Sequence, residues 1–239
     1  MYFGLDPLYY LLLIPPMLLA AWAQYRVKST FTAASKYRPM SGMSGVETAQ
    51  RILDVNGMRE VKIEPVAGNL SDHYDPRTKT LRLSQPVYSG RSLAAIGIAA
   101  HEVGHALQDK NGYAPLKLRN GIVPLASVGS NLSMIIFMAG MFMSWGRKSS
   151  FGMGLMLAGI VMFSAVVLSQ LINLPVEFDA SNRAKRIIVE QGFVSIEERQ
   201  AVDKVLNAAA LTYVAATLSA IMTLVYLLIR SGLLGGRRD

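Results

Sequence analysis

Histidine is rare in this chain, with three in 239 residues, and two of them lie four apart in His101-Glu102-Val103-Gly104-His105. On a helix, positions i and i+4 share a face with Cβ atoms about 5–6 Å apart, so two imidazoles there can meet on one zinc ion. Glu102 is turned about 100° from His101. It stands beside such a metal, where a carboxylate can take a proton from water and pass it to a leaving amine. This is the H-E-x-x-H pattern of metal-assisted hydrolysis. A five-residue pattern also has a plainer reading, a packed helix whose histidines are satisfied by hydrogen bonds. The apolar flanks make that reading costly, because polar groups left unpaired in such a helix are destabilising. The chain has no cysteine, so disulfides are excluded and any metal is held by His, Asp or Glu.

A catalytic zinc takes three protein ligands and keeps a position for water. A third histidine six residues past the motif is absent, since Asn111 stands there. The third ligand must come from elsewhere on the same membrane face. Glu177, in Pro175-Val176-Glu177-Phe178-Asp179-Ala180-Ser181-Asn182, is the leading candidate. It falls at what reads as the start of a helix, where a carboxylate also complements the helix dipole without any metal. Asp179 competes with it. Two residues apart, the two cannot share a face, so one binds metal while the other hydrogen-bonds a ligand or an arginine. His73, in Ser71-Asp72-His73-Tyr74-Asp75-Pro76-Arg77, is a candidate donor to the developing oxyanion, as are Tyr74 and Arg183. The preferred reading of the His73 segment is a turn bonded to its own backbone.

Positioning these groups requires a helix for the motif and a scaffold around it. Ser92 is placed to cap a helix that runs to about Lys110, with Asn111–Gly112 as its stop. Upstream, Ser44 and Glu47 have capping-box spacing, and Gly57 is placed to end that helix. Val61, Ile63 and Pro65 with Val66 suggest a short strand, and Leu81 and Leu83 within Thr80–Ser84 alternate as a half-buried strand does. Asp75-Pro76-Arg77 reads as a turn between them. The Thr80–Ser84 strand is a candidate to hold an extended peptide by edge pairing. Pro175 suits a first helical turn. Ser195 with Glu198 forms a second capping box, ahead of a helix that continues into an apolar stretch.

Half of the chain is apolar (51%), its mean hydropathy is +0.31, and only 17% is charged, against roughly 25% in soluble domains. Four stretches approach the roughly 20 apolar residues that a spanning helix needs. The first runs from Leu8 to Ala23, extendable to Tyr2 and Phe3, and contains Pro15 and Pro16. The second runs from Ile122 to Trp145, with a polar face of Ser127, Ser130, Asn131 and Ser133. The third is Phe151 to Leu174 and the fourth Leu211 to Ile229, and the short 146–150 turn makes the middle two a hairpin. The first stretch lacks the basic lead of a cleaved secretory peptide; Arg26, Lys28, Lys36 and Arg38 follow it instead, so it reads as a retained span.

The predicted organisation is a first span (1–23), an α+β domain (24–121), a transmembrane hairpin (122–174), a helical segment carrying the third ligand (175–210), and a last span with its tail (211–239). The two long loops share one face and carry 19 of the 24 Lys and Arg. The positive-inside rule puts them in the cytoplasm, with Arg237 and Arg238 left on the other side. Only eight apolar residues, Leu93 to Ala100, precede the motif, too few to span, so the motif helix is expected to be cytoplasmic or interfacial. The net charge of +8 fits this topology and a bilayer with anionic headgroups. No aromatic-interleaved basic stretch is present, and nucleic acid is not an expected partner. A transporter or channel would carry charges inside its spans, and these stretches hold none. The thirteen methionines read as lipid-facing or packing residues, since no His cluster accompanies them to mark a copper site.

On HEVGH, LPVEFDASNRA and DHYDPR, the chain resembles, nearly end to end, the YugP-type neutral zinc metallopeptidases of bacterial membranes. More distantly it is similar to the HtpX and CAAX prenyl protease group, in which a glutamate following a membrane hairpin is the third zinc ligand; that role carries over to Glu177. The same group has an aspartate four residues later. Ser181 stands there in this chain, so Asp179 or Asn182 becomes the candidate for that supporting role. The resemblance implies a mainly α membrane protein with four transmembrane helices and a small α+β, zincin-like (gluzincin-like) cytoplasmic domain. It implies one Zn2+ per chain on His101, His105 and Glu177, with Glu102 as general base. The expected activity is hydrolysis of peptide bonds in membrane-associated proteins or peptides at the bacterial cytoplasmic (inner) membrane. The alternative is an inert zinc-binding scaffold or regulator, against which the intact Glu102 argues.

Overall fold

Capping signals set where the helices begin. In this computed structural model, which describes residues 6–145 and 149–234, the Ser44 hydroxyl accepts from the Glu47 N–H at 3.3 Å and the Glu47 carboxylate accepts from the Ser44 N–H at 2.7 Å. This reciprocal pair starts α2 (Gly45–Val55). The same box at Ser195 and Glu198 starts α7 (Ile196–Arg230), and the Ser92 hydroxyl caps α4 (Leu93–Lys110). The remaining helices are α1 (Pro7–Ala34), α3 (Gln85–Tyr88), α5 (Ala114–Met143) and α6 (Ser150–Glu190). The fold is thus mainly helical, and α1, α5, α6 and α7 are each long and apolar enough to cross a membrane. The possible extension to Tyr2 and Phe3, residues 146–148 of the turn, and Arg237 and Arg238 lie outside the described residues.

The chain forms two compact units. One, here the span unit, comprises Met1–Ala21, Lys117–Leu174 and Tyr213–Asp239; the other, the site unit, comprises Trp22–Leu116 and Pro175–Thr212. In the span unit, α5 and α6 approach through glycines. A Cβ on Gly159 would lie 2.7 Å from the Ser133 carbonyl oxygen, and one on Gly140 would lie 2.5 Å from that of Gly152. Small residues at such crossings allow backbones close enough for dispersion contacts, which lipid cannot supply by hydrophobic exclusion. Phe137, Met156, Ile160 and Leu227 fill the interior. The Asp6 carboxylate accepts from the Tyr226 hydroxyl at 3.2 Å and faces Arg230 at 3.6 Å, so the start of α1 meets the end of α7, as an even number of passes requires.

In the site unit, three strands, β1 (Lys62–Val66), β2 (His73–Asp75) and β3 (Thr80–Ser84), form a sheet in the order β1-β3-β2. β3 pairs parallel with β1 and antiparallel with β2. Leu81 and Leu83 of β3 are fully buried, together with Ile52 and Leu53 of α2 and Ile96 and Val103 of α4.

Three sequence expectations are corrected. β3 is the central strand, with both of its edges already paired, so it offers none to a peptide; Pro65, which has no N–H to give a ladder, sits on the outer strand β1 as it should. His73 to Asp75 is a strand and not part of a turn, since its register against Arg82, Leu81 and Thr80 satisfies its backbone; the turn is the segment 76–79. Pro175 lies inside α6, which continues from Ser150 to Glu190. An interior proline removes one helical hydrogen bond, and a long membrane helix can satisfy the freed carbonyl locally and continue. Glu177 therefore stands in a helix interior, and its carboxylate does not answer a helix N-terminus.

Candidate metal centre

Helix α4 presents His101 and His105 one turn apart, their rings edge to face with centroids 4.9 Å apart. Helix α6 supplies the carboxylate opposite. Glu177 Oε2 lies 3.4 Å from His101 Nε2 and 3.6 Å from His105 Nε2. Each of these three residues offers a ligand atom within 4.8 Å of the others. All three groups are withdrawn from solvent, with side-chain exposures of 12%, 9% and 3% for His101, His105 and Glu177. Burial alone would raise the Glu177 carboxyl, but hydrogen bonds and charge from His101 and His105 reverse this and hold it below the usual carboxylate range.

The close approach of the two helices depends on Gly104, the residue before His105. A Cβ there would lie 2.7 Å from the carbonyl oxygen of Ala180 and 3.2 Å from its Cα. Those are backbone atoms of α6 and have no rotamer to yield. A family model described as "Putative neutral zinc metallopeptidase" matches residues 9–232. The chain belongs to that family. It is also similar to a Bacillus subtilis (strain 168) protein described as "Putative membrane protease YugP", with 50% identity over 217 residues, 91% of this chain and 93% of the relative. No solved structure matches. The relative's description and the four apolar helices together mark a membrane protein.

Within this zinc metallopeptidase family member, the outer groups have definite partners. His101 Nδ1 is 3.1 Å from Ser181 Oγ. His105 Nδ1 is 3.0 Å from Gln108 Oε1. Gln108 Nε2 donates to the Val176 carbonyl at 2.7 Å and to Asp179 Oδ2 at 2.8 Å. Asp179 also accepts from Arg183 Nε at 2.6 Å, and the Arg183 guanidinium lies 5.9 Å from the centre of the Tyr113 ring. Asp179 is thus outside the donor group and reaches His105 only through Gln108. Arg183 is held against Asp179 and Tyr113. Glu102 is buried, 8% exposed, on the same helix as both histidines.

His73 is exposed, and its Nδ1 engages the Ser71 carbonyl at 2.8 Å; the structure does not bring it into the donor group. Tyr74 donates its hydroxyl to Asp109 at 2.8 Å, and burial followed by that hydrogen bond raises its pKa. Asn182 lines a surface cavity with Asp179, Arg183 and Arg186. Sequence reasoning missed Gln108 and Gly104 and had turned from Ser181 to Asp179 and Asn182. Gln108 carried a signal: a lone polar residue three positions after His105 on an apolar helix shares a face with it.

Proposed function

We propose that the chain is a membrane-bound zinc endopeptidase that holds one zinc ion on His101, His105 and Glu177 and uses Glu102 as general base. The observation that carries this is the spacing of the donor atoms. Bonds of about 2.0–2.1 Å to a tetrahedral zinc put neighbouring ligand atoms about 3.3 Å apart, close to the 3.4 and 3.6 Å separating Glu177 Oε2 from the two imidazole nitrogens. Two histidines and one glutamate are a hydrolytic donor set that leaves a position open. Zinc, when bound, lowers the pKa of its water towards about 7 and polarises a scissile carbonyl. Glu102 accepts the proton of the attacking water and returns it to the leaving amine. The buried setting of all four side chains keeps their charges effective, since a low local dielectric strengthens electrostatic interactions.

The site unit is read as a zincin-like α+β domain, in which a sheet backs the helix carrying both histidines. Its substrates are peptide bonds of membrane-associated proteins or peptides, a reading supported by family membership and the four apolar helices. The Lys and Arg bias of the two long loops supports a cytoplasmic active site on the bacterial cytoplasmic (inner) membrane.

The test is zinc content and cleavage of unfolded or membrane substrates by protein purified in detergent, comparing wild type with Glu102→Gln. Both proteins are expected to hold one zinc per chain, with the variant about 10²–10⁴-fold slower. Zinc in both without cleavage by either would favour the inert scaffold, and a wild type that takes up no supplied zinc would refute the proposal.

A further inference from the structure

We propose that Gln108 is the positioning residue for His105, locking its imidazole with the proton on Nδ1 and Nε2 open towards the metal. This rests on reading the His101–His105–Glu177 cluster as the zinc site. The argument starts from the orientation of one amide. Gln108 is fully buried, and two of its three partners can only accept: the Val176 carbonyl at 2.7 Å and the Asp179 carboxylate at 2.8 Å. The NH2 group must face them, and it has two protons for the two bonds. The amide oxygen then necessarily faces His105 Nδ1 at 3.0 Å. An amide oxygen cannot donate, so the proton of that bond belongs to Nδ1. The nitrogen left open is Nε2, the atom directed at Glu177.

Asp179 and Arg183 extend the arrangement. Asp179 shares one oxygen, Oδ2, between Gln108 Nε2 and Arg183 Nε, and this pair of donors opposes a flip of the Gln108 amide. Val176 directly precedes Glu177, so one side chain ties the histidine ligand to the backbone that carries the carboxylate ligand. His101 has a different partner: Ser181 Oγ can accept or donate, so it does not dictate a tautomer as Gln108 does.

A residue that merely staples α4 to α6 would have the same burial, so the test separates the two roles. Full-length protein in detergent is loaded with zinc and titrated with a competing chelator. Gln108→Ala is expected to weaken zinc binding about 10- to 100-fold. The double variant Q108E/D179N keeps an acceptor for His105 and regains an amide donor at 179, but it gives up the bond to the Val176 carbonyl. Positioning predicts zinc affinity near wild type for the double variant; stapling predicts a loss as large as in Q108A. If Q108A does not fold, the double variant decides alone by the same criterion.

The second readout is the 15N-histidine spectrum of the zinc-loaded protein, which contains only three imidazoles. The His105 Nδ1 proton should be protected from exchange in wild type and in Q108E/D179N and unprotected in Q108A, with the His101 proton as internal control. Zinc affinity unchanged in Q108A, or a double variant as weak as Q108A, would overturn the positioning role and leave the peptidase reading standing. A wild type that binds no zinc would overturn both.

Discussion

Leu83 and Val161 are both aliphatic residues in regular secondary structure, yet Leu83 is fully buried and Val161 is 70% exposed. The first belongs to the site unit, where strand and helix residues converge on one core. The second belongs to the span unit, where Leu18, Ile135 and Val128 are likewise more than 60% exposed. The difference is one of solvent. In water, apolar area is removed from the surface because its exposure costs about 25 cal/mol per Å². In a bilayer, lipid tails are as apolar as the side chains, so nothing drives them inward, and helices associate through close packing at small residues. The same composition therefore yields an inward-facing core in one unit and an outward-facing apolar surface in the other.

Truncating one aliphatic residue in each unit tests that contrast. Leu83→Ala should destabilise the site unit by about 2–5 kcal/mol, the usual cost of such a core truncation. Val161→Ala should stay within about 0.5 kcal/mol, as exposed positions do. Unfolding midpoints in detergent measure both, and equal losses would mean that the exposed face of α6 is packed against something.

Glycines sharpen the comparison with a somewhat smaller effect. Gly104→Ala forces a methyl against the α6 backbone and should cost about 1–3 kcal/mol, with weaker zinc binding because Glu177 is displaced with its helix. Gly154→Ala, in the span unit, meets nothing within 4 Å and should stabilise α6 by up to about 1 kcal/mol through helix propensity. Chelator competition and thermal unfolding together read both signs. Intact zinc affinity in Gly104→Ala would show that the α4–α6 approach does not set the site.

The smallest effect belongs to an exposed carboxylate. The Ser44 N–H, then Arg91, then the Ser44 hydroxyl hold Glu47 at a pKa of about 2. Its folded value lies below its unfolded one, so the stability it contributes is present above pH 4.5 and is lost as pH falls towards 2. Glu47→Gln should unfold at a slightly lower temperature than wild type at pH 7, and the gap should narrow between pH 5 and pH 3. A gap independent of pH would assign the effect to the hydrogen bonds alone.

What was legible in the sequence was local. The pair His101 and His105 with Glu102 follows from the 3.6-residue turn, and the capping boxes at Ser44 and Ser195 follow from a three-residue spacing. The four apolar helices follow from the length that a bilayer requires. Pro175 misled because a proline does suit a first turn, and only the continuous α6 shows that the helix passes through it. The Thr80–Ser84 strand could be recognised by alternation, but no pattern within one strand reveals which neighbours it pairs with.

The sequence by itself determined the chemistry on α4, because both imidazoles and the base lie within five consecutive residues on one helix. The tertiary structure alone decided what completes it. Glu177 and not Asp179 reaches the imidazoles, Ser181 and Gln108 receive their outer nitrogens, and Gly104 allows the approach. Each of these depends on the distance and rotation between α4 and α6, segments more than seventy residues apart. That geometry is fixed by side-chain packing, which no sequence spacing encodes.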